Sequence, residues 1–300
     1  MPDFKQLEWD RQLEEACQRI VKLALEEDLA GQQDLTTVAL VPADRQGAAN
    51  VVSREPGIVA GISSVQVVLD ELEADLTATS TVADGDKIDA GTTLIRLEGN
   101  VRHLLTAERT LLNLLSRLMG IATLASRYVA EVAGTQARVY DTRKTTPGWR
   151  LLEKYAARCG GACNHRLGLY DAVLIKDNHL AQCGAAASDV AGAVEDARKL
   201  LEQSSKKGVL IEVEVDSLDQ LAAVLPATPD IVLLDNMSLD ILRAAVKIRN
   251  EKAPEIELEA SGGVRLETSR EIAATGVERI SVGALTHSAR SLDIGLDWQF

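Results

Sequence analysis

The sequence predicts an α/β protein: a parallel (β/α) barrel with fewer than eight units, preceded by a smaller α+β unit whose sheet is partly antiparallel. Three observations predict it. Beyond residue 134, six short apolar runs (137–140, 172–175, 209–215, 231–234, 256–259 and 280–282) are separated, for the most part, by helical runs at 149–158, 187–203, 217–225, 238–250 and 266–275. Repeated βα units imply a parallel sheet. Polar or glycine-bearing residues follow the strand runs, which suits a barrel, where chemistry sits at the C-terminal strand ends; an open doubly wound sheet is the alternative. Finally, the 300 residues are 46% hydrophobic and 26% charged, enough to bury a real core, while aromatics are only 3%, so packing must rest on Leu, Val, Ile and Ala.

The N-terminal part reads in order as follows. In 9–29, Leu13, Ala16, Ile20, Leu23 and Ala24 recur with helical period and charges occupy the other face. A loop is expected at 31–37, strands at 48–54 and 57–62, a helix at 63–72, and strands at 76–82 and 92–97. The last two flank the turn Ala83-Asp84-Gly85-Asp86, whose Asp-Gly pair favours chain reversal. From 103 to 134 the pattern is strongly helical. Leu104, Leu105, Leu111, Leu112, Leu114, Leu115 and Leu118 are too many for a narrow stripe, so at least one helix there should be buried on more than one side. The expected domains are 1–134, with this helical junction, and 135–300, whose C-terminal tail is free to pack back on the first domain.

The net charge of −13 argues against a general nucleic-acid or anionic-membrane surface, so any anion site must be a local exception. The start, MPDFKQLEWD, has no basic region followed by an apolar run, and no apolar stretch is long enough to span a bilayer. Cys17, Cys159, Cys163 and Cys183 are unevenly spaced. A cytoplasmic protein with free thiols is expected.

The local exception lies between Thr142 and His179, which hold seven Lys or Arg against three acids. Arg143 and Lys144 follow the first barrel strand within Asp141-Thr142-Arg143-Lys144-Thr145-Thr146-Pro147-Gly148; Asn164-His165-Arg166 comes after Gly160-Gly161, and Lys176 ends the next strand. Arginine forks and lysine point charges are what carboxylates and phosphates require. Arg150, Lys154 and Arg158 are placed on the outside of a helix. Glu212 and Glu214 alternate with valines and so face one side of their strand, while Asp235 ends IVLLD; such carboxylates can bind sugar hydroxyls or a hydrated Mg²⁺. Ser261-Gly262-Gly263 and Val282-Gly283-Ala284 end the last two strands, where glycines let backbone N–H groups approach a phosphate. Cys159-x-x-x-Cys163-x-His165 lacks a matching second half, so no structural zinc is expected. No Gly-x-Ser-x-Gly elbow, Walker loop or Rossmann fingerprint is present.

Taken in order, EEDLAGQQDLTT, TAERTLLNLL, DTRKTTPGWR, NHRLGLYDAVLIKDNH, EVEVDSLDQ, IVLLDNMS, ASGGV and GVERISVGALTHS resemble the quinolinate phosphoribosyltransferase family. The resemblance runs through most of the chain. It implies an N-terminal α/β sandwich domain, an incomplete α/β barrel, and a homodimer with active sites at the subunit interface. It also implies Mg²⁺-dependent condensation of quinolinate with phosphoribosyl pyrophosphate to nicotinate mononucleotide, pyrophosphate and CO₂, a pentosyl transfer in de novo NAD biosynthesis. By resemblance, Arg109 reaches the neighbouring subunit's site, and Thr142, Arg143, Lys144, His165, Arg166 and Lys176 line the quinolinate and pyrophosphate sites. Glu214 and Asp235 form the acidic pair near ribose and metal, binding the metal directly or through water, and act with Lys144 as the catalytic residues. Ser261, Gly262, Gly263, Val282, Gly283 and Ala284 form the 5′-phosphate cradle. One soft departure is Cys163, in Gly160-Gly161-Ala162-Cys163, where small residues are usual.

Overall fold

The computed structural model describes residues 3–182, 190–204, 206 and 208–299. The chain divides into two compact units, neither continuous in sequence. The antiparallel unit comprises Leu7–Ser126, Lys144–Gly161 and Leu285–Phe300; the parallel unit comprises Met1–Gln6, Arg127–Arg143 and Ala162–Ala284.

In the antiparallel unit, α1 (Arg11–Leu29) is capped by Asp10, whose side chain accepts from Leu13 N, and it buries Leu13, Ala16, Cys17, Ile20 and Val21. Leu23, expected on the packed face, is 55% exposed. The expected loop at 31–37 is shorter than that, because Asp34 caps a second helix, α2 (Leu35–Leu40), by accepting from Thr37 N. There follow β1 (Gln46–Ser53), β2 (Gly57–Ile58), α3 (Ser64–Glu71), β3 (Leu76–Ser80), β4 (Lys87–Ile88) and β5 (Thr93–Asn100). The strand expected at 57–62 is thus only two residues long, and β2 pairs instead with β4, which has no periodic signal of its own. The main sheet runs β3-β5-β1 and is completed by β12 (Ile294–Gln299) from the C-terminal tail. Ala49 pairs with Leu97 and Val51 with Ile95, so these four buried residues share one face.

The leucine-rich segment is a single helix, α4 (Val101–Val132), rather than several. Leu104, Leu111, Leu112, Leu114, Leu115 and Leu118 are all buried, which accounts for the broad apolar surface. Gly120 is required in its interior, since a Cβ would run into the Arg290 carbonyl oxygen. The antiparallel unit also holds α5 (Arg150–Cys159). Lys154, expected outside, is fully buried there, because α5 is enclosed along most of its surface from Leu152 to Ala157.

The parallel unit contains β6 (Arg138–Tyr140), β7 (Val173–Ile175), α6 (Asp177–Gln182), α7 (Val190–Gln203), β8 (Ile211–Val215), α8 (Leu218–Val224), β9 (Ile231–Asp235), α9 (Leu239–Lys252), β10 (Glu257–Ser261), α10 (Leu266–Ala273), β11 (Arg279–Ser281) and the start of α11 (Ala284–His287). All six strands are where the apolar runs lie. The helix α6 was not expected, and the first residues of the helical run at 187–203 fall outside the described residues.

The six-stranded sheet has the order β6-β11-β10-β9-β8-β7, parallel throughout, so the first strand lies beside the last and β6 and β7 form the two edges. The sheet curls: Tyr140 of β6 shares a buried cluster with Ala172, which precedes β7 at the opposite edge, together with Leu210, Ile231 and Phe4. This is an incomplete barrel, open between β6 and β7 and lined there by Cys163, which bridges to Tyr140. Alternation puts Glu212, Glu214, Leu233, Asp235, Glu259 and Ser261 on one face, by the register Glu214↔Leu233↔Glu259. That inner face is polar, and the valines between go to the helix-covered side.

Candidate active site

The first βα loop of the parallel unit is locked by Asp141, which is fully buried. Its Oδ1 accepts from His165 N at 2.9 Å and its Oδ2 from Asn164 Nδ2 at 2.7 Å. One carboxylate thereby fixes both the loop of Thr142 and Arg143 and the loop of His165 and Arg166.

His165 is buried, and both its ring nitrogens are engaged. Nδ1 accepts the backbone N–H of Arg166 at 2.9 Å, and Nε2 lies 3.1 Å from Glu212 Oε2 and 3.5 Å from Glu259 Oε1. Burial lowers the ring's proton affinity, but the two glutamates outweigh it and push the pKa up to about 10. Nδ1 accepts the Arg166 N–H, so Nε2 carries a ring proton and aims it at the two carboxylates. Burial raises the Glu212 pKa, with the Glu259 charge adding to it against His165. Burial also pushes Glu259 up, but His165, Ser281 and Arg279 overcome this and leave it lowered. The three side chains have the spacing of metal ligands, with one donor atom each within 4.8 Å of the others. A protonated Nε2 has no lone pair to offer, so the group is a proton-sharing triad that anchors the ring.

Arg166 donates Nη1 to the Ala172 carbonyl oxygen at 3.3 Å. Burial and then the neighbouring Arg143 charge pull its guanidinium pKa below the usual range. Guanidinium forks of this kind are matched to carboxylate and phosphate oxygens. Lys176, just past β7, forms an ion pair with Glu214. Asp235 ends β9 two register positions beyond Glu214's partner Leu233, and its Oδ2 accepts from Asn236 Nδ2 at 2.8 Å. These carboxylates, on adjacent strands and the same face, are hard oxygen donors of the kind Mg²⁺ takes, with water and substrate phosphates completing its shell.

Ser261 ends β10, and Gly262 and Gly263 follow at φ 92° and 61°, in the left-handed region that favours glycine. A Cβ on Gly262 would meet the Asn236 side chain, and Asn236 is itself left-handed at φ 52°. Val282, Gly283 and Ala284 follow β11. The structure therefore brings Thr142, Arg143, His165, Arg166, Lys176, Glu214, Asp235 and both glycine turns to the C-terminal side of one sheet. Lys144 and Arg109 belong to the other unit, Arg109 exposed on α4. In that unit, Lys144's carbonyl oxygen accepts from Thr286 Oγ1 at 2.8 Å. Thr146 is held by the fully buried Glu153, through its N–H at 3.0 Å and its hydroxyl at 2.9 Å, and Glu153 in turn pairs with Arg117.

The chain matches the model of the quinolinate phosphoribosyl transferase N-terminal domain over residues 34–119 and that of the C-terminal domain over residues 121–297. The chain belongs to this family. It is 45% identical to the carboxylating nicotinate-nucleotide pyrophosphorylase of Mycobacterium leprae over 94% of this chain and 97% of that one. A probable enzyme of the same name from Bacillus subtilis is 39% identical over 89% and 88%. The solved nicotinate-nucleotide pyrophosphorylase of Francisella tularensis superposes with a TM-score of 0.89 at 37% identity, covering 99% of this chain and 100% of that one.

Sequence reasoning missed Asp141's double clamp and the Glu212–His165–Glu259 triad. The alternation of Glu212 with valines was a usable signal for the triad. Its partner Glu259, two strands away, carried none.

Proposed function

We propose that this chain condenses quinolinate with phosphoribosyl pyrophosphate, as a Mg²⁺-dependent, cytoplasmic homodimer, to give nicotinate mononucleotide, pyrophosphate and CO₂. The observation that carries the reading is the set of cations gathered by the parallel unit: Arg143 after β6, Arg166 in the loop tied to Asp141, and Lys176 just past β7. Quinolinate presents two adjacent carboxylates, and such an array neutralises both. Free thiols at Cys17, Cys159 and Cys163 suit a reducing cytoplasm. Among the described residues, no helix is long and apolar enough to cross a membrane.

Catalysis follows from charge cancellation. Substrate carboxylates and phosphates repel one another, and the cations let the ring nitrogen approach the anomeric carbon. The nitrogen's lone pair forms the new C–N bond as the C–O bond to pyrophosphate breaks. Glu214 and Asp235 face the sugar position and stabilise the positive charge that develops on the ribose. Glu214 and Asp235 would hold a Mg²⁺ ion, directly or through water, and the ion when bound would supply positive charge to the phosphate oxygens of the donor. The pyridinium then accepts the electron pair left by the 2-carboxylate as CO₂ leaves, and the ring carbon takes a proton from water. Lys144 steers the departing carboxylate. Arg109 of a neighbouring subunit completes the quinolinate grip, and the turns at Ser261–Gly263 and Val282–Ala284 hold the 5′-phosphate.

Pyrophosphate release with quinolinate or with nicotinate, with and without Mg²⁺, tests the reading. Release with quinolinate alone, abolished by thorough chelation and restored by Mg²⁺, is the expected outcome. Release with nicotinate alone would make the chain a nicotinate-using transferase, and release with neither would make it a binding protein for anionic metabolites. Activity that survives metal removal would overturn the metal assignment.

A further inference from the structure

Phe4 is one of only two phenylalanines in the chain, and it is 5% exposed within the parallel unit. It lies among Tyr140, Ala172, Leu210 and Ile231, the last three of which sit at the N-terminal ends of β7, β8 and β9. Residues 3–6 therefore enter the barrel from the end opposite the candidate active site. Asp3 pins this entry by accepting from Arg138 at 2.8 Å and the Tyr140 hydroxyl at 2.9 Å, and by pairing with Arg279 at 3.0 Å. Arg138 and Arg279 are the first residues of the neighbouring strands β6 and β11.

From there the segment reaches the substrate-gripping loop. The Phe4 ring stacks on the His165 imidazole, with centroids 4.3 Å apart and planes 27° from parallel. Gln6 clasps the residue just before it from both sides: its Oε1 accepts Asn164 N–H at 2.8 Å, and its Nε2 donates to the Asn164 carbonyl oxygen at 3.1 Å. On its other edge the same ring accepts the Arg166 backbone N–H. A shift of the Phe4 ring or of the Asn164 backbone is therefore transmitted directly to Arg166.

We infer that residues 3–6 form a strap that, through the His165 ring, positions Arg166 for the substrate's carboxylates, with Phe4 and Gln6 as positioning residues. This rests on the proposed quinolinate reading of the site. A plug that only closed the barrel would need Phe4's volume but neither its stacking on His165 nor the two-sided clasp by Gln6. Asp3 ties the strap to the starts of β6 and β11, so the ends of the strap have separate tasks.

Phe4→Leu and Gln6→Ala test the inference. The first keeps an apolar filler and removes the ring; the second loses three bonds, to the Phe4 carbonyl oxygen and to both sides of the Asn164 backbone, at a half-buried position, so both variants are designed to fold. KM for quinolinate, KM for phosphoribosyl pyrophosphate, kcat and the thermal midpoint are measured for each. The expected result is a rise in quinolinate KM of about tenfold, short of the roughly hundredfold that a 1 Å misplacement can cost, with the other KM within about twofold. Lowered midpoints with unchanged quinolinate KM would reduce the strap to a structural plug and overturn the inference. So would a parallel loss in both KM values and kcat. An unaltered enzyme that releases no pyrophosphate with quinolinate would instead remove the functional reading, and the inference with it.

Discussion

Glu153→Ala should cost about 3–5 kcal/mol of stability, the range for removing one member of a buried ion pair. The structure sets out why. Glu153 is fully buried and accepts from Thr146 N–H at 3.0 Å, the Thr146 hydroxyl at 2.9 Å, and Arg117 Nη2 at 2.6 Å and Nε at 3.2 Å. Each neutral bond contributes about 0.5–1.5 kcal/mol and each charge-assisted one about 1.5–3. The Arg117 side chain is 23% exposed and keeps its bond to the Ala289 carbonyl oxygen, which places the loss toward the lower end of the range. Glu153→Gln keeps one acceptor oxygen where Thr146 uses two and should cost about 1–3 kcal/mol. The assay is favourable, because Trp9, Trp149 and Trp298 all belong to the antiparallel unit that holds Glu153. Urea unfolding followed by tryptophan fluorescence therefore reports on the unit concerned. A cycle with Arg117→Ala should show a coupling of about 2 kcal/mol. A loss below about 1 kcal/mol for Glu153→Ala, or no coupling, would refute the assignment of this pair as the anchor of the Lys144–Thr146 loop.

Arg166→Lys should lower kcat/KM for quinolinate by about 10- to 100-fold, since a point charge cannot replace a fork bonded to a carboxylate; steady-state kinetics check this. Gly262→Ala forces a side chain into φ 92° and against Asn236, a strain of about 1–3 kcal/mol, and should raise KM for phosphoribosyl pyrophosphate more than KM for quinolinate. Asp3 gives a pH test. Burial raises its carboxyl pKa, but Arg279, the Phe4 N–H, Tyr140 and Arg138 together leave it lowered. Its stabilisation is therefore present above the unfolded value of about 3.9 and lost as the pH falls below it toward the folded one. The stability difference between the unaltered chain and Asp3→Asn should be full at neutral pH and shrink below about pH 4, as measured by urea titration across that range. A difference that does not vary with pH would remove Asp3's charge from the account.

Local pattern carried the secondary structure wherever a single element buries one regular face. All six barrel strands, α1, α3 and the βα order follow from runs of Val, Ile and Leu at the right lengths. The pattern failed where an element is short or is created by its partner: β4 exists because β2 pairs with it, and α2 because Asp34 caps it. Lys154 departs from the expectation that a helix's charged residue marks its solvent side, because α5 is enclosed almost all round.

By itself the sequence determined the βα alternation, the positive cluster between Thr142 and His179, and which strand ends carry carboxylates and glycines. These are properties of neighbouring residues, set by side-chain period and charge. Only the tertiary structure decided that Asp141 ties the His165–Arg166 loop to its own, that His165 is held between Glu212 and Glu259, and that β12 from the tail completes a sheet begun at β1. It alone showed that Phe4 lies against His165, 161 positions along the chain. Such pairings arise when the sheet curls and strands from distant segments come into register. No local periodicity encodes them, because each is fixed by burial and hydrogen bonding between residues that the chain itself keeps far apart.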